Sequence, residues 1–396
     1  MRTLGVAVHV VLWWATASVA LGDVRATAID GRTLEGPWQG IDDQQRVRLG
    51  PGEQALKVED LLRVEWPDEL SGRLVQKMPV LVHLIDGSRL YGRILRDDRK
   101  TIEIETELIP RLSLSHSEIK AVQFTTRHLP EAADAFAHAL NNRRSTEDTL
   151  IMLRNEKVVV LHGVTESLSA KEGMFLWRER SIPFQAETTY GVVFAAGVQD
   201  PQLPPVMCEL QDGSIWTGDL KGADEYYVRL HVAEDLPLSF PIGMVRRLEL
   251  NSERLIYLDA IEPADYTHRR TGTTRWPFRK NRSVANKPLR IGDEQFDRGI
   301  GMHSPSTLTY DVPAGVTRFA AVIGIDEAVG GLGNVVFRVV ADEKTLFDSG
   351  PVTGRDEPRT IVVELGGARQ VQLVVDLGLE LDLGDQANWA NARFIK

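Results

Sequence analysis

The chain has 396 residues, a formal net charge of −10, and 43% apolar against 26% charged residues. That length accommodates roughly two to four domains, and the composition is that of a globular chain. The acidic balance excludes a nucleic-acid partner, because phosphate binding needs a surplus of Lys and Arg on one face; a single cysteine, Cys208, excludes an intrachain disulfide and a thiolate metal cluster.

Residues 1–20 read as an export signal. Arg2 forms a short n-region, Leu4 to Leu21 contains no ionised side chain, and Ser18-Val19-Ala20 offers small residues for cleavage after Ala20. The expected location is secreted, or periplasmic within a cell envelope. The alternative is an uncleaved anchor, since the stretch is about long enough to span a bilayer; only then would the membrane be a partner.

A short pattern then recurs. Ile29-Asp30-Gly31, Ile85-Asp86-Gly87 and Gln211-Asp212-Gly213 each separate two runs of alternating apolar residues. Asp-Gly in that setting predicts a hairpin with a two-residue type I′ turn. Each copy continues through two further short strands and ends on an apolar one, such as Leu62–Trp66, Ile119–Phe124 or Val245–Leu250. The predicted repeats span 24–67, 78–127, a degenerate copy at 147–197 in which Asn155-Glu156-Lys157 replaces the turn, and 204–251. Five short strands in about 45 residues suggest a small bent antiparallel barrel. The pattern resembles SH3-like or Sm-like barrels, a likeness of fold that carries no function. Between the second and third copies, residues 130–142 predict a linker helix, with Pro130 in its first turn and Phe136 and Leu140 four apart. Asp200-Pro201-Gln202-Leu203-Pro204-Pro205 reads as a linker. Cys208 alternates with Val206 and Leu210 and reads as a small buried residue on a strand.

From about Leu255 the texture changes to longer β-rich runs separated by glycine turns, the signature of a β-sandwich. Arg298-Gly299-Ile300-Gly301-Met302-His303-Ser304-Pro305-Ser306, Tyr310-Asp311-Val312-Pro313, Gly324-Ile325-Asp326-Glu327, Leu346-Phe347-Asp348-Ser349-Gly350 and Ala387-Asn388-Trp389-Ala390-Asn391-Ala392 occur in that order. This ordered set resembles the NPCBM family of carbohydrate-binding modules. The resemblance covers residues 252–396 and implies a galactose-binding-like jelly roll. The family's Asp-His before the closing motif is Asp385-Gln386 here, followed by Asn388 where an Asp is usual, which weakens transfer of contacts from that loop. The expected fold class is therefore all-β: small SH3-like or Sm-like barrel repeats followed by a C-terminal jelly-roll sandwich.

The resemblance directs attention to His303, Ser304, Asp326, Glu327, Asn388 and Trp389 as carbohydrate contacts. His303 can exchange hydrogen bonds with a hydroxyl, or hold its own turn through the backbone. Asp326 and Glu327 can bind hydroxyls or cap a turn. Trp389 can offer an aromatic face to a pyranose, or fill the core, which its position between alanines on the last strand favours. Related jelly rolls carry Ca²⁺, for which Asp376, Asp382 and Asp385 in the last long loop are the candidate ligands; oxygen donors suit that ion. Tyr266 and Trp276 fall in an Arg-rich stretch (Arg269, Arg270, Arg275, Arg279, Lys280, Arg282), either a solvated loop or a rim for an anionic glycan.

No catalytic motif appears: no His-Glu-x-x-His, Gly-x-Ser-x-Gly or phosphate-cradling loop. The expected function is a secreted, non-catalytic protein that binds a glycan or polysaccharide through its C-terminal module. The alternative is a cell-envelope structural or protein-interaction scaffold without sugar binding; an unfamiliar glycosidase is a third class.

Overall fold

The structure is a computed structural model that describes residues 23–50, 55–67, 78–124, 130–155, 157–196, 204–232, 236–250, 254–269, 276–378 and 383–396. The export signal, the linker prolines before Pro204, and Asp382, Arg270 and Arg275 lie outside the described residues. Among those described, the chain is all-β with one α-helix, Pro130–Asn141. Its described residues form two compact units: 23–26 with 34–250, and 27–33 with 254–396.

The first unit repeats one strand plan four times. The second copy shows it plainly: strands Val80–Leu84, Arg89–Asp97, Thr101–Glu105 and Leu112–Ser115, a single 3₁₀ turn at His116–Glu118, then Ile119–Phe124. The first and last strands pair antiparallel, with Val82 opposite Val122. The same closure joins Leu150 to Val192 in the third copy and Cys208 to Leu248 in the fourth. Alternation drives it: Val80, Val82 and Leu84 are buried while Leu81 and His83 are only half-buried, so each strand turns one face to an interior. The second strand bends at a register shift in copies two, three and four. In the first copy Pro37 splits that strand into Thr33–Gly36 and Trp38–Ile41, because proline cannot donate to the ladder.

The copies join edge to edge. Ala121–Gln123 pair with Gly191–Val193, linking copies two and three. Arg247–Glu249 pair with Arg63–Glu65, linking four and one. Ile215 pairs with Arg89, linking four and two. Strand edges left open by a small barrel are thereby covered. The helix lays Ala132 and Phe136 against Ile151, Tyr190 and Val193. Cys208 is fully buried, and burial pushes its thiol pKa up.

The Asp-Gly hairpins differ from the expected type I′ turn. The carbonyls of Ala28, Leu84 and Leu210 accept from the amides of Gly31, Gly87 and Gly213, three residues on. Only the glycines have positive φ, at 82°, 94° and 85°. This is a three-residue loop ending in a left-handed glycine bulge. The aspartate is the reason. Its carboxylate accepts from the amide two residues later, as in Asp86 to Ser88 at 2.8 Å and Asp212 to Ser214 at 2.7 Å, which holds it in the turn. The degenerate copy is the one with a two-residue loop, where Arg154 faces Lys157 and Asn155 has φ 49°.

The second unit is a two-sheet jelly-roll sandwich. One sheet orders Arg279–Lys280, Gly299–His303, Gln386–Ile395, Arg318–Ile325 and Arg359–Glu364, with Leu255–Tyr257 also on Gln386–Ile395. The other orders Asp265–His268, Ser306–Asp311, Gln370–Leu377, Asn334–Ala341 and Lys344–Thr353. Between them lie Phe319, Phe337, Trp389, Phe394, Tyr310 and aliphatic neighbours. Close packing of this kind, with tightly fitted side chains, holds the end loops in place.

Candidate functional site

The motif residues do gather at one end of the sandwich. His303 faces Gln386, and Ile325 faces Ala387, so the loops after both strands leave from the same edge as the start of the last strand. Their side chains, however, are largely turned inward. Asp326 is buried, caps the 3₁₀ turn Glu327–Val329 by accepting from the Ala328 amide at 3.1 Å, and accepts from Asn388 Nδ2 at 2.7 Å. Asn388 Nδ2 also donates to the Arg290 carbonyl at 3.2 Å. Ser304 Oγ donates to Asp385 Oδ2, whose other oxygen accepts from the Asn334 amide at 2.8 Å. These are the internal ties of three loops, and buried polar groups are expected to be tied in this way. Of the six expected sugar contacts, only Glu327 is exposed.

Trp389 belongs to the core. It is fully buried, with Phe337 edge-on at 5.0 Å and Phe319 at 6.0 Å, and offers no ring face to solvent. His303 is also buried; its Nδ1 lies 2.8 Å from the Ser304 carbonyl, and Trp276 stacks flat on its ring at 4.8 Å.

The expected Ca²⁺ ligands do not converge. Asp376 sits on the Gln370–Leu377 strand rather than in the last loop, and its carboxylate is 2.7 Å from Arg338, which also binds Asp348 at 2.6 Å. Those two carboxylates raise the Arg338 pKa. Asp385 is held inside by Ser304 and Asn334. Among the described residues no three His, Cys, Asp or Glu side chains group as a metal-ligand set. The described donors therefore do not fit Ca²⁺.

An open cleft of about 360 Å³ lies elsewhere, lined by Glu262, Phe278, Arg279, Lys280, Arg282 and Asn286. The short Arg279–Lys280 strand positions it by pairing with Gly301 and Ile300. Tyr266, on the Asp265–His268 strand of the other sheet, packs on Phe278 at 5.0 Å and donates through its hydroxyl to the Trp276 carbonyl at 2.6 Å. Lys280 Nζ is committed to the Ile261 carbonyl at 2.8 Å and Glu262 at 2.7 Å. Arg279 Nε donates to the Val284 carbonyl at 3.1 Å. Arg282 and Asn286 are exposed. An aromatic ring flanked by exposed donors is chemistry suited to a sugar ring and its substituents. The sequence marks Arg279, Lys280 and Arg282 as a rim, but Phe278, Glu262 and Asn286 escape it. The available signal was the run Trp276-Pro277-Phe278-Arg279-Lys280, aromatic rings interleaved with cations.

Two facing antiparallel sheets with this motif set form a jelly-roll sandwich. Residues 255–395 match the NPCBM/NEW2 domain. A Renibacterium salmoninarum protein provisionally named endo-alpha-N-acetylgalactosaminidase is 35% identical over 108 residues, covering 27% of this chain and 7% of that protein. Alpha-1,3-galactosidase B of Akkermansia muciniphila is 32% identical over 129 residues, covering 32% of this chain and 16% of that protein. The chain thus spans a small part of these curated relatives. Among solved structures, the CBM51 module of Clostridium perfringens GH95 in complex with methyl-galactose aligns with 35% of this chain and 99% of that one, at 23% identity and a TM-score of 0.33. The C. perfringens ZmpB structure holding CBM51-2 in complex with GlcNAc, with INT domains, aligns with 43% and 36%, at 22% identity and 0.34.

Proposed function

We propose that this is a secreted, non-catalytic glycan-binding protein whose C-terminal domain holds saccharide in the cleft beside Phe278, while the repeat unit serves as spacer or docking element. The observation that carries it is the match of residues 255–395 to a carbohydrate-binding domain family. One relative is named an endo-alpha-N-acetylgalactosaminidase and the other an alpha-1,3-galactosidase, which directs the search towards glycans of galactose and N-acetylgalactosamine. The cleft is preferred over the end loops because Asp326, Asp385, Asn388 and Trp389 are buried. Incubating the full chain with a broad glycan array and then assaying for released sugar tests this. Saturable binding without turnover is expected. Silence across the array, or liberated monosaccharide, would overturn it.

The scaffold alternative draws support from the fourth repeat copy, where Tyr226 is 66% exposed next to the exposed Tyr227. Adjacent exposed aromatic rings suit protein docking. Crosslinking that captures a protein while sugars fail to compete would favour it.

A further inference from the structure

We infer that the cleft selects saccharides bearing an anionic group, a carboxylate or a sulfate ester, over neutral ones. This rests on the proposal that the cleft holds sugar. The charge accounting is local. Glu262 is the only acid lining the cleft and is neutralised by Lys280 at 2.7 Å. Lys280 spends a second donor on the Ile261 carbonyl. That leaves two cations over. Arg279 is held by one bond, Nε to the Val284 carbonyl, and its two terminal NH₂ groups have no partner among the described residues. Arg282 has no acidic partner among the described residues, and it is exposed.

This surplus stands out in a chain of net charge −10. Nonspecific attraction of polyanions is disfavoured by that background, so attraction must come from a local site. Two guanidinium-bearing residues lining one cleft suit a planar carboxylate or a sulfate, which accept paired N–H donors. Phe278 is placed to lie under a pyranose ring, and the Asn286 amide can both donate to and accept from hydroxyls. The combination distinguishes an acidic sugar from a simple polyanion, which would have no use for the ring or the amide.

The test uses the full chain and immobilised polymers at about 150 mM salt, where long-range attraction is screened. The probes are polygalacturonate for carboxylate, dextran sulfate for sulfate ester, dextran as the neutral saccharide, and polyglutamate as an anion without sugar. The variants are Arg279→Gln/Arg282→Gln and, as an equal-charge control, Arg355→Gln/Arg369→Gln on exposed positions away from the cleft. We expect at least one acidic polysaccharide to bind roughly ten-fold or more tightly than dextran and polyglutamate, and the cleft variant to lose about that factor while the control keeps it. Which acidic polymer binds identifies the anionic group. Equal binding of polyglutamate, equal loss in both variants, or no acidic binding would overturn the inference. If neutral glycans on the array bind while acidic ones do not, selectivity falls and glycan binding stands. If no saccharide binds, both fall.

Discussion

His83 sits half-buried on the second copy's first strand, its ring 5.5 Å from that of Phe136 and its Nε2 3.4 Å from Gln123. Burial, with Arg89 and Lys120 nearby, lowers its pKa to about 4 from the ordinary 6.5. The sign follows. Between those values the unfolded chain takes up a proton that the folded chain refuses. Stability from this residue is therefore complete above about 6.5 and is lost as the pH falls towards 4. The loss is on the order of 2 kcal/mol. Urea unfolding at pH 7 and pH 4.5 should show it, and His83→Phe should shrink the difference between the two pH values; an unchanged difference would refute the assignment. Single residues also mark the limit of reading from sequence. Trp389 between small neighbours favours the core but allows a sugar platform. Full burial against Phe319 and Phe337, on strands far away in sequence, decides it.

Among the elements, the Gly299–His303 strand ties the core to the cleft. A Cβ on Gly301 would lie 2.5 Å from the Arg282 carbonyl oxygen and 2.6 Å from the Val284 nitrogen. Glycine is needed there because the 282–284 backbone rests directly on the strand. Gly301→Ala should cost about 1–3 kcal/mol by overpacking and push away the segment that carries Arg282 and anchors Arg279. Thermal unfolding of the variant would register the first effect, and weaker binding to the acidic polymers the second; wild-type values for both would show that the contact yields freely. The Gly-x-Gly-x-His motif was legible as a family mark, yet its physical reason was not, since the partner is a loop some twenty residues upstream. The hairpins were legible too, because Asp-Gly leaves a local trace. Their loop length was not, because the Asp side chain's own bond to the backbone chooses it.

At the scale of the whole molecule, recurrence of the Asp-Gly hairpin marked the repeated strand plan, and the change of texture from about Leu255 marked the sandwich. The way copies join was not readable. Arg247–Glu249 meet Arg63–Glu65 across more than 180 residues of chain, and such pairing leaves no nearby sequence mark. It does leave a consequence for dissection. A fragment of residues 204–250 would expose the edges that Arg63–Glu65 and Arg89 otherwise cover. It should self-associate, whereas residues 23–250 should not; light scattering after size exclusion distinguishes them, and a monodisperse single copy would count against edge covering.

That same seam fixes where the first unit would bear a mechanical load. The strand Val24–Ala28 pairs with Leu61–Glu65, which pairs with Val245–Leu250, so the polypeptide comes in and goes out through neighbouring strands. Tension applied at those two points would pass directly across these three adjacent strands, a shorter path than the one through copies two and three.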